Sequence, residues 1–223
     1  MSIGAYLGIF GKENPELEDD EEHQKWIKQI KKTVLKAIEK QTDKKAEWVE
    51  GNAPDEQIGQ ELGGWGNLMQ LQRYAAHIHF RSEPPELSAE DDKLDNDEYL
   101  LKYHEAMENE TGWEYRNLKF KHLVMTGDQI NYIPVDFAEP LLIEEEGEEE
   151  IKSIGSSYQL YNELEELNKY LLMIGDYGQL GEEEAWKVYE NEDDQWRFVK
   201  WAWIVLHWLA RESINRKLSI YFE

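Results

Sequence analysis

The chain has 223 residues, no cysteine and nine tryptophans, and its 48 acids against 24 lysines and arginines leave a formal charge of −24. The length suits one domain with a real core, and 12% aromatic content argues against a disordered acidic tail. Without cysteine there is no disulfide framework, thiolate nucleophile or Cys-ligated metal, and the acid surplus disfavours direct binding to nucleic acid or anionic lipid, whose contacts rest on Lys and Arg meeting phosphates.

A cytoplasmic setting is expected. The apolar opening from Ser2 to Gly11 lacks a basic n-region, so it does not read as a signal peptide. The longest apolar stretch, Phe198 to Leu209, contains Lys200 and His207 and is too short to span a bilayer. The acid excess reads first as a solubilising surface and second as a surface for a basic partner.

In chain order, residues 2–10 carry Tyr, Ile and Phe between glycines and predict a short strand. The acids from Glu16 to Glu22 lead into a helix on which Ile27, Ile30, Val34 and Ile38 form one apolar stripe. That segment reverses the charge pattern: Lys25, Lys28, Lys31, Lys32, Lys36, Lys40, Lys44 and Lys45 against Glu39 and Asp43 give +6, leaving −30 on the rest. A solvated or self-neutralised helix face is expected there, with an anion-binding patch as the alternative.

Residues 51–66 read as a loop, with Trp65 set among Gly63, Gly64 and Gly66. A helix is predicted from Asn67 to Phe80 through Leu68, Leu71, Tyr74 or Ala75, and Ile78, and a shorter one through Tyr99, Leu100 and Tyr103 that Gly112 ends. Leu123-Val124-Met125 and the run from Ile130 to Phe137 are β-prone around a Thr126-Gly127-Asp128 turn, with Pro134 at a strand end. The six glutamates of residues 144–150 predict a solvated loop.

Ser156 or Ser157 can cap a helix carrying Leu160, Leu164, Leu167 and Leu171, stopped at Gly175. A short helix is expected over residues 182–191. From Gln195 to Arg216 the tryptophans and aliphatics leave no fully polar face over three turns, which predicts a helix central to the fold or at a subunit interface. Residues 218–222 predict a closing strand that could pair with the N-terminal one.

Motifs for chemistry are sparse. G-x-S-x-G is absent, and Gly155-Ser156-Ser157 fits a helix cap better than a nucleophile. Neither phosphate-cradling glycine motif occurs, so no nucleotide cofactor is implied. His77 and His79 point to different faces of one helix, His104 and Glu108 are a coincidence cheap among 48 acids, and residues 91–97 lack the glycine and final glutamate of a calcium loop. No cofactor and no metal site are expected.

One local pattern is more specific: His122-Leu123-Val124, Gly127-Asp128, Tyr132-Ile133-Pro134-Val135-Asp136-Phe137, Pro140, then Gly155-Ser156-Ser157-Tyr158 with Leu160, Glu163 and Leu164. This resembles a stretch of small bacterial proteins, some of which look like immunity proteins of polymorphic toxin systems. Gly127 stands where a serine is expected before the aspartate. If the stretch is functional, Asp128, Asp136 and Ser156 are placed to converge, and the candidate binding residues are Asp128, Tyr132, Asp136, Ser156, Ser157 and Trp65.

The expected fold is α+β: a single, predominantly helical domain over 1–223 with a small sheet from residues near 2–10, 120–138 and 218–222, and a central tryptophan-rich C-terminal helix. The leading functional expectation is a non-enzymatic cytoplasmic protein that binds and neutralises another protein, as the resemblance implies. The first alternative is a nucleic-acid mimic that inhibits a DNA-binding protein, which requires carboxylates in ordered rows. The second is an enzyme with a scattered carboxylate and histidine site. The expected partner is a basic protein, without direct nucleic-acid or membrane binding, and five tryptophans between Trp186 and Trp208 make a homodimer face plausible.

Overall fold

The strand expected at the N-terminus forms and pairs with the C-terminal one. In a computed structural model, which describes residues 2–8, 21–51, 57–86, 94, 96–109, 112–126, 129–144 and 151–223, β1 (Gly4–Leu7) runs antiparallel to β6 (Ile220–Phe222). The pairing is closed by backbone bonds from Gly4 N–H to Glu223 O at 2.8 Å and from Gly8 N–H to Ser219 O at 2.8 Å. Among the described residues six strands form one sheet in the order β2-β1-β6-β3-β5-β4, the others being β2 (Gly59–Glu61), β3 (Gln129–Ile133), β4 (Leu141–Glu144) and β5 (Ile151–Ser156). The β3–β5 pair is parallel and all other pairs are antiparallel.

The sheet separates two apolar layers. On β3, Ile130 and Tyr132 join the large core, whereas Ile133 joins a smaller one, as alternation along a strand requires. The smaller core holds Ile30, Val34 and Ile38 of α1 (Glu21–Thr42) against Ile133, Val135, Leu141, Ile143 and Ile154. The apolar stripe read at helical period is therefore the face α1 buries. Its lysines Lys28, Lys32, Lys36 and Lys40 stay exposed, and Lys31 lies 5.0 Å from the ring centre of Trp48.

The large core is built around α8 (Arg197–Arg216), which packs against α2 (Trp65–Arg81), α5 (Ser157–Leu171) and α7 (Glu182–Glu190). Trp201 and Trp203 are fully buried, and each indole N–H finds a carbonyl: Glu61 O at 3.0 Å and Leu164 O at 2.8 Å. Burial of a ring of this size stabilises only if its polar handle is satisfied, and both are. Between α2 and α5 the chain forms α3 (Glu98–Glu108) and α4 (Trp113–Asn117), and a single turn, α6 (Tyr177–Leu180), joins α5 to α7. The architecture is α+β and predominantly helical.

Several sequence expectations are corrected. Trp65 opens α2 instead of lying in a loop, and β2, β4 and β5 add three strands to the sheet. Leu123 and Val124 lie in a turn and Met125 in irregular chain, not in a strand, because the Val124 N–H turns back to Phe120 O at 2.8 Å while Glu163 takes the Leu123 N–H. Helix α5 stops at Leu172 in the left-handed region (φ 56°), three residues before Gly175. Of the acidic runs, residues 145–150 lie outside the described residues, as do most of 16–22 and 90–97.

Candidate functional site

The six candidate binding residues do not assemble into one open site. Asp128 lies outside the described residues. Tyr132 is buried in β3, and its hydroxyl donates to His122 O at 2.9 Å, while burial pushes its ionisation far above the ordinary tyrosine range. Ser156 caps α5: its Oγ accepts from Gln159 N–H at 3.3 Å and donates to Val135 O at 2.7 Å. Asp136 is exposed and accepts from Gln159 Nε2 at 2.7 Å, so Asp136 and Ser156 have Gln159 as a common partner in the first turn of α5.

Ser157 is equally committed. Its Oγ lies 2.6 Å from Ser213 Oγ, and Ser213 Oγ donates to Leu218 O at 2.5 Å, so Ser157 is the donor of the first bond and joins α5 to the end of α8. Gly155 is explained by Tyr132, since a Cβ there would meet the Tyr132 ring at 2.5 Å. Trp65 is 39% exposed and stacks on Phe222 with ring centres 6.0 Å apart. Next to it, Gly64, Asn67, Tyr189 and Phe198 help line an open groove of about 430 Å³.

Composition could not single out Glu163 and Asp176, two of the carboxylates that the fold buries. Glu163 accepts the His122 and Leu123 N–H groups at 3.1 and 2.7 Å, and burial pushes its carboxyl up to about 8 against the pull of those amides. The ring of His122, beside it, accepts from Ser156 N–H at 3.0 Å through Nδ1, so Nε2 carries the proton and donates to Ala138 O at 3.1 Å. Burial lowers this histidine to about 4, which keeps it neutral. Asp176 is fully buried, caps α6 with a reciprocal Gln179 box, and faces His207 Nδ1 at 3.0 Å and Arg211 at 2.8 Å. These groups hold elements together and leave no open reacting position. Among the described residues no group of three His, Cys, Asp or Glu side chains is placed to hold a metal.

Some of the exposed carboxylates stand on helices, while others, Asp43, Glu47, Glu83, Glu86 and Asp136 among them, lie in connecting segments. On α7, Glu182, Glu183, Glu184 and Glu190 face solvent, and the following turn adds Glu192 and Asp193. Lys187 bridges Glu183 at 3.2 Å and Glu184 at 2.6 Å, leaving α7 a net charge of −3. Nine residues of helix are about 13.5 Å long, so the density is one net charge per ~4.5 Å, against one per ~3.4 Å along one strand of B-DNA. At the end of the turn, burial works against the Asp194 charge, but bonds from Lys200 at 2.5 Å and the Trp196 N–H outweigh it and hold its carboxyl below the usual range. On α3, Glu98, Glu105 and Glu108 are also exposed. The acids of α7 belong to the helical layer, across the sheet from the lysines of α1.

Fold and surface together define an acidic α+β protein that displays carboxylates on α3, α7 and the connecting segments and uses buried ones as braces. The chain belongs to the family described as "Putative DNA-mimic protein", whose model matches residues 1–222. No curated protein and no solved structure matches the chain.

Family membership overturns the expectation about partners. The expectation of a basic protein partner without direct nucleic-acid binding gives way to membership of a family described by its mimicry of DNA. The physical reason lies in the charge of −24, which opposes contact with phosphates but suits a surface standing in for them. No helix among the described residues is long and apolar enough to cross a membrane.

Proposed function

We propose that the chain is a DNA mimic that occupies the DNA-binding site of a DNA-binding protein, its carboxylates taking the places of phosphates. Membership of the DNA-mimic family over residues 1–222 is the observation that carries this reading. The helix-borne acids of α7 support this reading, since a carboxylate fixed on a helix meets a phosphate pocket at less entropic cost than one on a loose chain. The sheet adds orientation: with lysines on the α1 side and acids on the α7 side, a phosphate-binding cleft attracts one face and repels the other.

Displacement tests this reading. Proteins of the source organism that DNA-cellulose retains are challenged with the purified chain at about 0.1 M salt, where the screening length is ~10 Å. Release of a protein that duplex DNA also releases supports the proposal. Retention of every protein at both low and moderate salt overturns it.

A further inference from the structure

Between α5 and α6 the chain turns two aliphatic side chains outward. Ile174 is 94% exposed and Leu172 is 77% exposed, in a sequence that buries nearly every other aliphatic of the helical layer. Leu172 does so in the left-handed region, at φ 56° and ψ 38°, where glycine or asparagine is the usual choice and a leucine costs about 1 kcal/mol.

This turn is braced on both sides. Upstream, the Asn168 side chain holds both main-chain groups of Met173, accepting its N–H at 2.7 Å and donating to its carbonyl at 3.1 Å. Downstream, the fully buried Asp176 is fixed by His207, Arg211 and the Gln179 N–H. The two aliphatic groups are therefore presented by a preformed backbone, which lowers the ordering cost of binding.

What covers them follows from their surroundings. Glu165 and Glu166 lie before the turn on α5, and Glu182, Glu183 and Glu184 follow it on α7. Ile174 and Glu182 are joined by a few extended residues and one helical turn, a separation of at most about 20 Å. Lys169 pairs with Glu166, His207 with Glu165, and Lys187 with Glu183 and Glu184, so the flanks of the turn keep a net negative charge, which disfavours an anionic lipid surface and suits a protein that binds DNA.

We propose that Leu172 and Ile174 form a preorganised apolar anchor that docks on the DNA-binding partner beside its phosphate-binding site. This inference rests on the mimicry reading above. Carboxylates alone compete with every DNA-binding protein nearly alike, whereas an apolar contact that DNA lacks selects one of them.

The test uses the full chain as wild type, as Leu172→Gly with Ile174→Ser, and as Glu182→Gln with Glu183→Gln and Glu184→Gln. Leu172→Gly relieves the left-handed backbone, and all five positions are exposed, so the fold is retained. The probes are DNA-cellulose-retained proteins of the source organism, purified singly, and the readouts are affinity and its salt dependence. For a protein that wild type binds and duplex DNA displaces, the apolar pair lowers affinity at least tenfold with the salt slope unchanged, while the glutamine triple flattens the slope.

Equal affinity of the apolar variant and wild type within twofold overturns the anchor and leaves mimicry standing. A wild type that binds none of the probes overturns both. Sedimentation showing that the apolar pair disrupts self-association without touching partner affinity also overturns the anchor.

Discussion

The Asp176 carboxylate, fully buried, lies 3.0 Å from Nδ1 of His207, tying the N-terminus of α6 to the middle of α8. The other ring nitrogen of His207 faces Glu165 on α5 at 2.5 Å, and the ring stacks on Trp203 with centres 4.5 Å apart. One side chain thus joins three helices of the large core.

Asp176→Ala removes the α6 cap and the buried carboxylate that Arg211 and His207 Nδ1 share. Breaking a buried pair by deleting one partner costs about 3 kcal/mol or more. The urea midpoint is expected to fall accordingly with little change in slope. A midpoint within experimental error of wild type would mean that the helices are held without this brace.

Glu163 gives a pH dependence whose sign is fixed. Its folded carboxyl titrates near 8, above the ordinary ~4.3 of the unfolded chain, so the native state binds more protons between those values. Its contribution is most favourable below about pH 4.3 and is lost as pH rises through 8, at a slope of up to about 1.4 kcal/mol per unit. Glu163→Gln removes that slope. Unfolding free energies of wild type and variant, measured from pH 5 to 8.5, should diverge in slope, and parallel lines would refute the titration.

Ser156→Ala costs about 2 kcal/mol. About 1 kcal/mol is the lost cap, and a comparable amount is the Val135 carbonyl left without its donor. Chemical denaturation measures it, and a loss below about 0.5 kcal/mol, the scale of an ordinary surface substitution, would show the cap to be redundant.

Much of this fold was legible in the sequence, for physical reasons. The apolar stripe of α1, the tryptophan-rich α8 and the Ser156 cap follow from periodicity and capping chemistry, and the β1–β6 pairing from two short apolar ends. Strand β5 was not legible, because Ile-Lys-Ser-Ile-Gly-Ser is short, polar and adjacent to a glutamate run. The end of α5 was misread because Asn168 stabilises a left-handed leucine where sequence rules look for glycine.

The site was less legible than the fold. Among 48 acids, sequence spacing cannot separate the buried braces Glu163 and Asp176 from the displayed carboxylates of α7. That distinction arises only when α5, α6 and α8 meet. Ser157 looked like a binding residue and is a helix tie, because its partner Ser213 lies 56 positions away.

The most direct measurement of the central claim is displacement of a DNA-binding protein from duplex DNA by wild type and by a variant carrying Glu182→Gln, Glu183→Gln, Glu184→Gln and Glu190→Gln. Exposed charge pairs contribute about 0.2–1 kcal/mol each, so the loss of four should make the variant displace at least about fourfold less well while unfolding at the same urea concentration. Equal displacement by both proteins would contradict mimicry through α7.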